Sequence, residues 1–207
     1  MVVIALVSTK GGAGKSTLGV NLGAAAVAGR KKTLLIDLDP QRSVSEWAQL
    51  RPLTHPEVKA GEAAHLGAMI DAARDNGAEV IIVDTQGHAG ESASQAIKYA
   101  DVVVIPAKVS VYDVLSMRKT LDLLDEQNAR DKAVCVLSGV PSRGGEETDA
   151  RAALMSIGFT VLKQKVRDFK VYRTSLARGS TAIEDQKNGE AGKEIRALWS
   201  AIYGRVK

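Results

Sequence analysis

Two lysines, two hydroxyls and three glycines stand together in Lys10-Gly11-Gly12-Ala13-Gly14-Lys15-Ser16-Thr17. Glycines let backbone N–H groups turn inward around an anion, with no Cβ to block its approach. Lys15 has the reach to meet the β- and γ-phosphates of a nucleotide, and the Ser16 hydroxyl can ligate Mg²⁺. A helix beginning near Ser16 would add the positive end of its dipole. The common form of such a loop, G-x-x-x-x-G-K-[ST], has glycine where this chain has Thr9. A second lysine, Lys10, sits beside the glycines instead.

Two more segments deliver carboxylates from apolar runs. Leu34-Leu35-Ile36-Asp37-Leu38-Asp39-Pro40-Gln41 carries a pair two residues apart, and Val80-Ile81-Ile82-Val83-Asp84-Thr85-Gln86-Gly87 ends in a single aspartate. An acidic residue at such a strand end can anchor Mg²⁺ through a water. Each signal has a plainer reading: Lys10 as an exposed loop cation, one of Asp37 and Asp39 as a helix N-cap, and His88 as incidental. The three segments in this order, phosphate loop first, point to a nucleotide-hydrolysing site. Phosphoryl transfer asks for charge neutralisation and a positioned water more than for covalent help.

The elements that must hold these residues follow from hydrophobic periodicity. Strand-like runs are expected at 2–7, 33–36, 80–83, 102–105, 133–137 and 160–162. Helical patterns fall at 18–28, 64–73, 92–99, 114–127 and 149–156. Uninterrupted β-branched runs suit strands buried on both faces. Their alternation with helices gives an α/β doubly wound, mostly parallel sheet with helices on both faces. The chain of 207 residues reads as a single domain, 1–207, without repeats or low-complexity tracts. The stretch 51–61 is open between a loop and a short irregular strand. The start reads as a first strand, not a signal peptide, and no apolar run approaches the roughly 18 residues of a membrane span. The lone Cys135, inside an apolar run, is expected to be a buried thiol, and the cytoplasm is the expected compartment. From Lys193 onward, Ile195, Leu198, Trp199, Ile202, Tyr203 and Val206 share one helical face. Packing on the core is the reading taken, against a partner groove or a membrane surface.

The overall charge of +4 is unevenly spread, because from Lys163 onward cations outnumber carboxylates eleven to five. Either a polyanionic partner or a solvated basic helix accounts for this. The candidates for contact are Lys163, Lys165, Arg167, Lys170, Arg173 and Arg178. No aromatic stacking platform or base-reading helix accompanies them, so sequence-specific recognition is not expected.

The loop KGGAGKST with its extra lysine, the segment LLIDLDPQ and the segment IIVDTQG together resemble the deviant Walker-A ATPases, most closely the short plasmid type of ParA partition ATPase. The resemblance implies that Lys10 reaches the nucleotide of a partner subunit, so that ATP is sandwiched in a homodimer. It implies that the loop from Gly11 to Thr17 binds ATP, with Lys15 on the β/γ-phosphates, Ser16 on Mg²⁺ and Thr17 on the α-phosphate. Asp39 would orient or activate the attacking water, while Asp37 and Asp84 organise the metal shell. The segment 104–113 matches the family's dimer-face pattern, and the loop with Pro141 falls where relatives place the adenine. Thr85-Gln86-Gly87-His88 departs from the family's commoner proline-bearing form. Relatives of this type bind DNA without sequence preference as ATP dimers, through C-terminal basic residues. They take a ParB-like centromere-binding protein as partner and work in the bacterial cytoplasm on the nucleoid. Thr9 argues against the MinD-like branch, which carries glycine there, so no membrane partner is expected. A chain that begins at its first strand is expected to lack an N-terminal helix-turn-helix domain. The alternatives left open are a positioning ATPase for a protein cargo, such as a chemoreceptor cluster or microcompartment, and a MinD-like membrane-surface regulator.

Overall fold

The computed structural model describes residues 1–110, 114, 116–143 and 145–206. Seven strands, β1 (Val2–Leu6), β2 (Thr33–Asp37), β3 (Glu57–Ala60), β4 (Val80–Asp84), β5 (Val102–Ala107), β6 (Ala133–Val140) and β7 (Val161–Arg167), form one sheet. Their order is β3-β2-β4-β1-β5-β6-β7, and every pairing is parallel. β1 lies between β4 and β5: the chain builds β2, β3 and β4 on one side of β1, then crosses to lay β5, β6 and β7 on the other. Ligands of such sheets bind in the crevice at the carboxyl ends where the winding reverses. Here that crevice opens at the end of β1, where the glycine loop begins.

Side chains alternate along each strand, and the core divides accordingly. Val3, Ala5 and Val7 face one way with Leu34, Ile36, Ile81 and Val83. That face is covered by α3 (Leu66–Asp75), α4 (Glu91–Tyr99), α5 (Arg118–Glu126) and α6 (Glu146–Ser156). Ile4, Leu6, Leu35 and Ile82 face the other way. They are covered by α1 (Lys15–Ala28), α2 (Ser43–Leu50), α7 (Lys170–Leu176), α8 (Ala182–Asp185) and α9 (Glu190–Tyr203). Burial on both faces explains why β1, β4 and β5 read as unbroken apolar runs.

The last helix packs on the core as expected. Ile195, Leu198 and Ile202 are fully enclosed, and Trp199 stacks on Tyr203 with ring centroids 4.9 Å apart. Cys135 is a buried free thiol, and the apolar surroundings push it up to about 12. The stretch 51–61 contains the edge strand β3, paired with β2.

Three expectations change. The strand expected at 160–162 runs on to Arg167, so Lys163, Lys165 and Arg167 lie on a sheet edge, where lysines also discourage pairing with another chain. The basic segment then turns into α7, giving a strand and a helix rather than one basic helix. The helices α2, α7 and α8 were not legible as periodic patterns. Residues 111–113 of the dimer-face pattern lie outside the described residues.

Candidate functional site

The phosphate loop leaves β1 at Val7 and enters α1 at Lys15. Gly14 stands at the helix start with φ 94°, a left-handed conformation that a side chain would strain. No side chain caps this helix, so its first N–H groups are left for an anion. The loop is fastened from two sides. Thr9 Oγ1 lies 2.9 Å from Thr120 Oγ1 of α5, and Ser138 Oγ, at the end of β6, donates to the Ala13 carbonyl at 2.8 Å. Thr9 is therefore a packing contact to α5 as well as the missing glycine.

Beneath the loop, β2 and β4 run in register, which sets Asp37 beside Asp84. Both are fully buried. Ser16 Oγ donates to Asp84 Oδ2 at 2.6 Å, whereas Asp84 Oδ1 is buried with no hydrogen-bond partner. Burial pushes Asp84 up to about 7; the Ser16 hydrogen bond opposes this, Asp37 adds to it, Lys15 opposes it and Asp39 adds to it. Lys15 is buried in the same place, and the loss of hydration lowers its pKa against the pull of Asp84 and Asp39. Two crowded carboxylates, an orphaned buried oxygen and a desolvated ammonium describe a site short of a cation and an anion together. A metal–phosphate group supplies both. Among the described residues no cluster of three or more His, Cys, Asp or Glu could hold a metal. A Mg²⁺ here would complete its shell from nucleotide oxygens and water, as it commonly does.

Asp37 is already engaged. Its Oδ1 accepts from Asp39 N at 3.1 Å, and its Oδ2 accepts from Ser45 N at 2.9 Å and Ser45 Oγ at 2.7 Å. Asp37 thus takes up an N–H of the first turn of α2 without standing at its N-cap position, which is Arg42, and it shapes the turn that presents Asp39. Asp39 lines a cleft of about 630 Å³ with Gly11, Gly12, Gly14, Lys15, Ser16, Thr17, Gln86, Gly87 and His88, and its Oδ1 accepts from Gln41 N at 2.9 Å. The loop after β4 comes so close to the phosphate loop that a Cβ on Gly87 would stand 2.8 Å from Gly11 Cα. Glycine is the residue that fits there.

A second cavity, about 290 Å³, adjoins Gly12, Ala13, Gly14 and Thr17 on the side of β6 and β7, and its wall includes Asn21, Lys108, Ser138, Arg167, Tyr172 and Arg173. Pro141 is exposed and is not among the residues lining it. Lys10 is half-buried and is likewise absent from the lining of its own chain's cleft.

The six basic candidates are not brought together as one free patch. Arg167 pairs with Glu194 and with Glu190 (3.2 Å) and lies over the Phe169 ring, 4.6 Å from its centroid. Lys165 pairs with Glu147. Arg173 meets Asp168 at 2.5 Å, and Arg178 meets Asp185 at 2.5 Å. Lys163 and Lys170 are exposed, and no ion pair joins either to another described residue. Two of the six, Arg167 and Arg173, also wall the second cavity.

Sequence reading missed several supports of the site: Asn21, fully buried in α1, Ser138, Tyr172, and the buried Arg51. Asn21 did carry a signal, as the one amide in an otherwise apolar and small-residue stretch of helix.

Residues 4–182 match the CobQ/CobB/MinD/ParA nucleotide binding domain. The maintenance of carboxysome distribution protein A of Gloeobacter kilaueensis is 27% identical over 211 residues, 97% of this chain and 91% of that protein. Protein ParA of Rhizobium radiobacter is 27% identical over 180 residues, covering 83% of this chain and 81% of its own. Among solved structures, the ATP complex of McdA from Cyanothece superposes with a TM-score of 0.80 at 17% identity, covering 99% of this chain and 96% of that one. That last likeness is one of fold.

Proposed function

The chain belongs to the CobQ/CobB/MinD/ParA family of nucleotide-binding domains, and within it we propose an ATP-dependent dimerising ATPase that uses DNA as its working surface. The observation that carries the reading is the setting of Asp84: an orphaned, buried carboxylate oxygen beside Ser16, Lys15 and the open glycine loop. These residues fit Mg²⁺ with a nucleotide. Ser16 and Asp84 would hold the metal, with Asp37 completing the negative field. Bound there, Mg²⁺ supplies charge neutralisation to the β- and γ-phosphates.

Lys15 neutralises and orients the terminal phosphates, and the N–H groups of Gly12 to Thr17 cradle them. Asp39, held by Gln41 and presented by Asp37, orients the attacking water. Lys10, which is not among the residues lining its own chain's cleft, acts across a homodimer on the partner's nucleotide, which makes hydrolysis conditional on pairing. A cation supplied in trans serves here as an arginine finger does elsewhere. The ATP dimer binds duplex DNA without sequence preference, since pairing doubles the phosphate contacts and the counterions released. Lys163 and Lys170 are the first candidates for those contacts. A ParB-like partner would stimulate hydrolysis and release the dimer, in the cytoplasm and on the nucleoid.

The cargo is read as a plasmid or chromosome region. A second reading, a protein assembly as cargo, is favoured by the near full-length match to a protein named for carboxysome distribution. One side-by-side test separates the surfaces: duplex DNA of unrelated sequence against anionic lipid vesicles, each with ATP, ADP or no nucleotide. Salt-sensitive DNA binding that needs ATP supports the reading. Binding to vesicles alone would move the protein to the membrane-surface alternative.

A further inference from the structure

Arg51, just beyond the end of α2, is an arginine in an unusual position, because its side chain is only 2% exposed. Its donors are distributed over three groups. Nε donates to the His55 carbonyl at 3.0 Å, and Nη2 to the same carbonyl at 2.6 Å. Nη1 donates to the Gly179 carbonyl at 3.0 Å and to Glu184 Oε2 at 2.9 Å, while Nη2 meets Glu184 Oε1 at 2.5 Å. The guanidinium lies over the Trp47 ring, 4.7 Å from its centroid, and Trp47 Nε1 donates to the Ser180 carbonyl at 3.0 Å. A Cβ on Gly179 would fall 2.4 Å from the Leu50 carbonyl carbon. The segment 177–185 therefore cannot shift independently of the end of α2.

The same segment is gripped from the phosphate loop. Asn21, fully buried in α1, donates from Nδ2 to the Thr17 carbonyl at 2.8 Å and accepts at Oδ1 from Ala182 N at 3.0 Å. Thr17 lines the phosphate cleft, and so does Leu176 at the end of α7. At its other end α2 is tied to the site as well, through Ser45 on Asp37 and Arg42 Nη1 on the Asp37 carbonyl at 2.6 Å. Both grips on 177–185 thus start at residues that touch the phosphate cleft or the turn presenting Asp39. Surface cations sit on this segment and its flanks: Arg178, Lys170 and Lys187.

We propose that Arg51 and Glu184, with Trp47 and Asn21, form a clasp through which a nucleoside triphosphate in the cleft sets the position of 177–185 and of the cations beside it. These are positioning residues. Arg51, Glu184 and Trp47 line neither the phosphate cleft nor the cavity beside it, and Asn21 lines only the latter. The proposal rests on the cleft being an ATP site and on the neighbouring cations meeting DNA. Buried packing favours two discrete arrangements over continuous deformation, so a small change at Asp39 or Thr17 can be carried to the surface.

The test is hydrogen exchange on the full chain with ATPγS and Mg²⁺ against ADP and Mg²⁺, in wild type and Glu184→Gln. Wild-type amides of 177–185 are expected to exchange about tenfold more slowly with the triphosphate, within the usual range of coupling between sites. Glu184→Gln should abolish that difference, keep triphosphate affinity within about twofold, and cut the ATP-over-ADP preference for DNA by about tenfold. Trp47→Phe keeps an aromatic ring beside Arg51 and removes one hydrogen bond, so it should give an intermediate loss if Glu184→Gln folds poorly. Exchange in 177–185 that ignores the nucleotide in wild type, or that still responds in Glu184→Gln, would overturn the clasp. If wild type binds no DNA yet shows an exchange difference that Glu184→Gln removes, the DNA reading falls and the clasp stands.

Discussion

Replacing Asp84 by Asn should remove a loss of stability that the nucleotide-free protein suffers as pH rises. Burial raises the Asp84 carboxyl from its ordinary 3.8 to about 7, so between these values the folded state holds a proton that the unfolded chain has released. Stability then falls as pH rises, by roughly 1.4 kcal/mol per pH unit, and a window of about three units gives a loss of about 4 kcal/mol above pH 7. Below the window Asp84 is protonated and close to Asn in shape and charge. The assay is urea denaturation with EDTA present, for both proteins, at about pH 4 and about pH 8. Titrating groups remote from Asp84 are common to both and largely cancel in the difference, whereas Asp37, Lys15 and Asp39 are coupled to it. Wild type should lose about 3–4 kcal/mol more than Asp84→Asn over this range, and should regain it with Mg²⁺ and ATPγS, which bind the folded state. Parallel profiles, differing by less than about 1 kcal/mol, would refute the claim that Asp84 is a strained buried acid awaiting a cation.

Lys10→Ala should bind nucleotide yet stay monomeric with ATP by light scattering, or dimerise without stimulated turnover; retention of both properties removes the lysine from its role in trans. Asp39→Ala should still bind ATP and dimerise, but turnover measured by phosphate release should fall by about 10²-fold or more, as for loss of a group that positions or deprotonates a nucleophile. Lys163→Ala and Lys170→Ala should each reduce the slope of log affinity for DNA against log salt by about 1. Lys165→Ala should reduce it by less, because Glu147 already holds that ammonium. Ile202→Ala should cost about 2–5 kcal/mol in urea denaturation, since its side chain is fully buried under the sheet.

The strands legible in the sequence were those buried on both faces. Val80 to Val83 and Val102 to Ile105 are unbroken apolar runs because helices cover the sheet above and below. The edge strands were not legible in the same way: β3 has no buried residue, and β7 carries Lys163, Lys165 and Arg167 in place of an apolar face. The short helices α7 and α8 are held by tertiary bonds such as Asn21 to Ala182 rather than by their own pattern. Periodicity has little to report in seven and four residues.

For the site, residue type and order were enough to nominate the loop from Lys10 to Thr17, Asp37 and Asp39 at the end of the second strand, and Asp84. Glycine, lysine and hydroxyl at fixed offsets along one turn define that chemistry locally. Roles that depend on neighbours across the sheet were decided only by the fold. Register set Asp37 beside Asp84, and Ser45 took up Asp37's second oxygen, so that of two similar carboxylates one was bound by the first turn of α2 and the other faced the cleft. The basic segment shows the same division. The sequence counted its cations, but their carboxylate partners lie up to 27 residues away in the chain. Which charges remain free is a property of packing, because an ion pair depends on distance in space and the sequence records only distance along the chain.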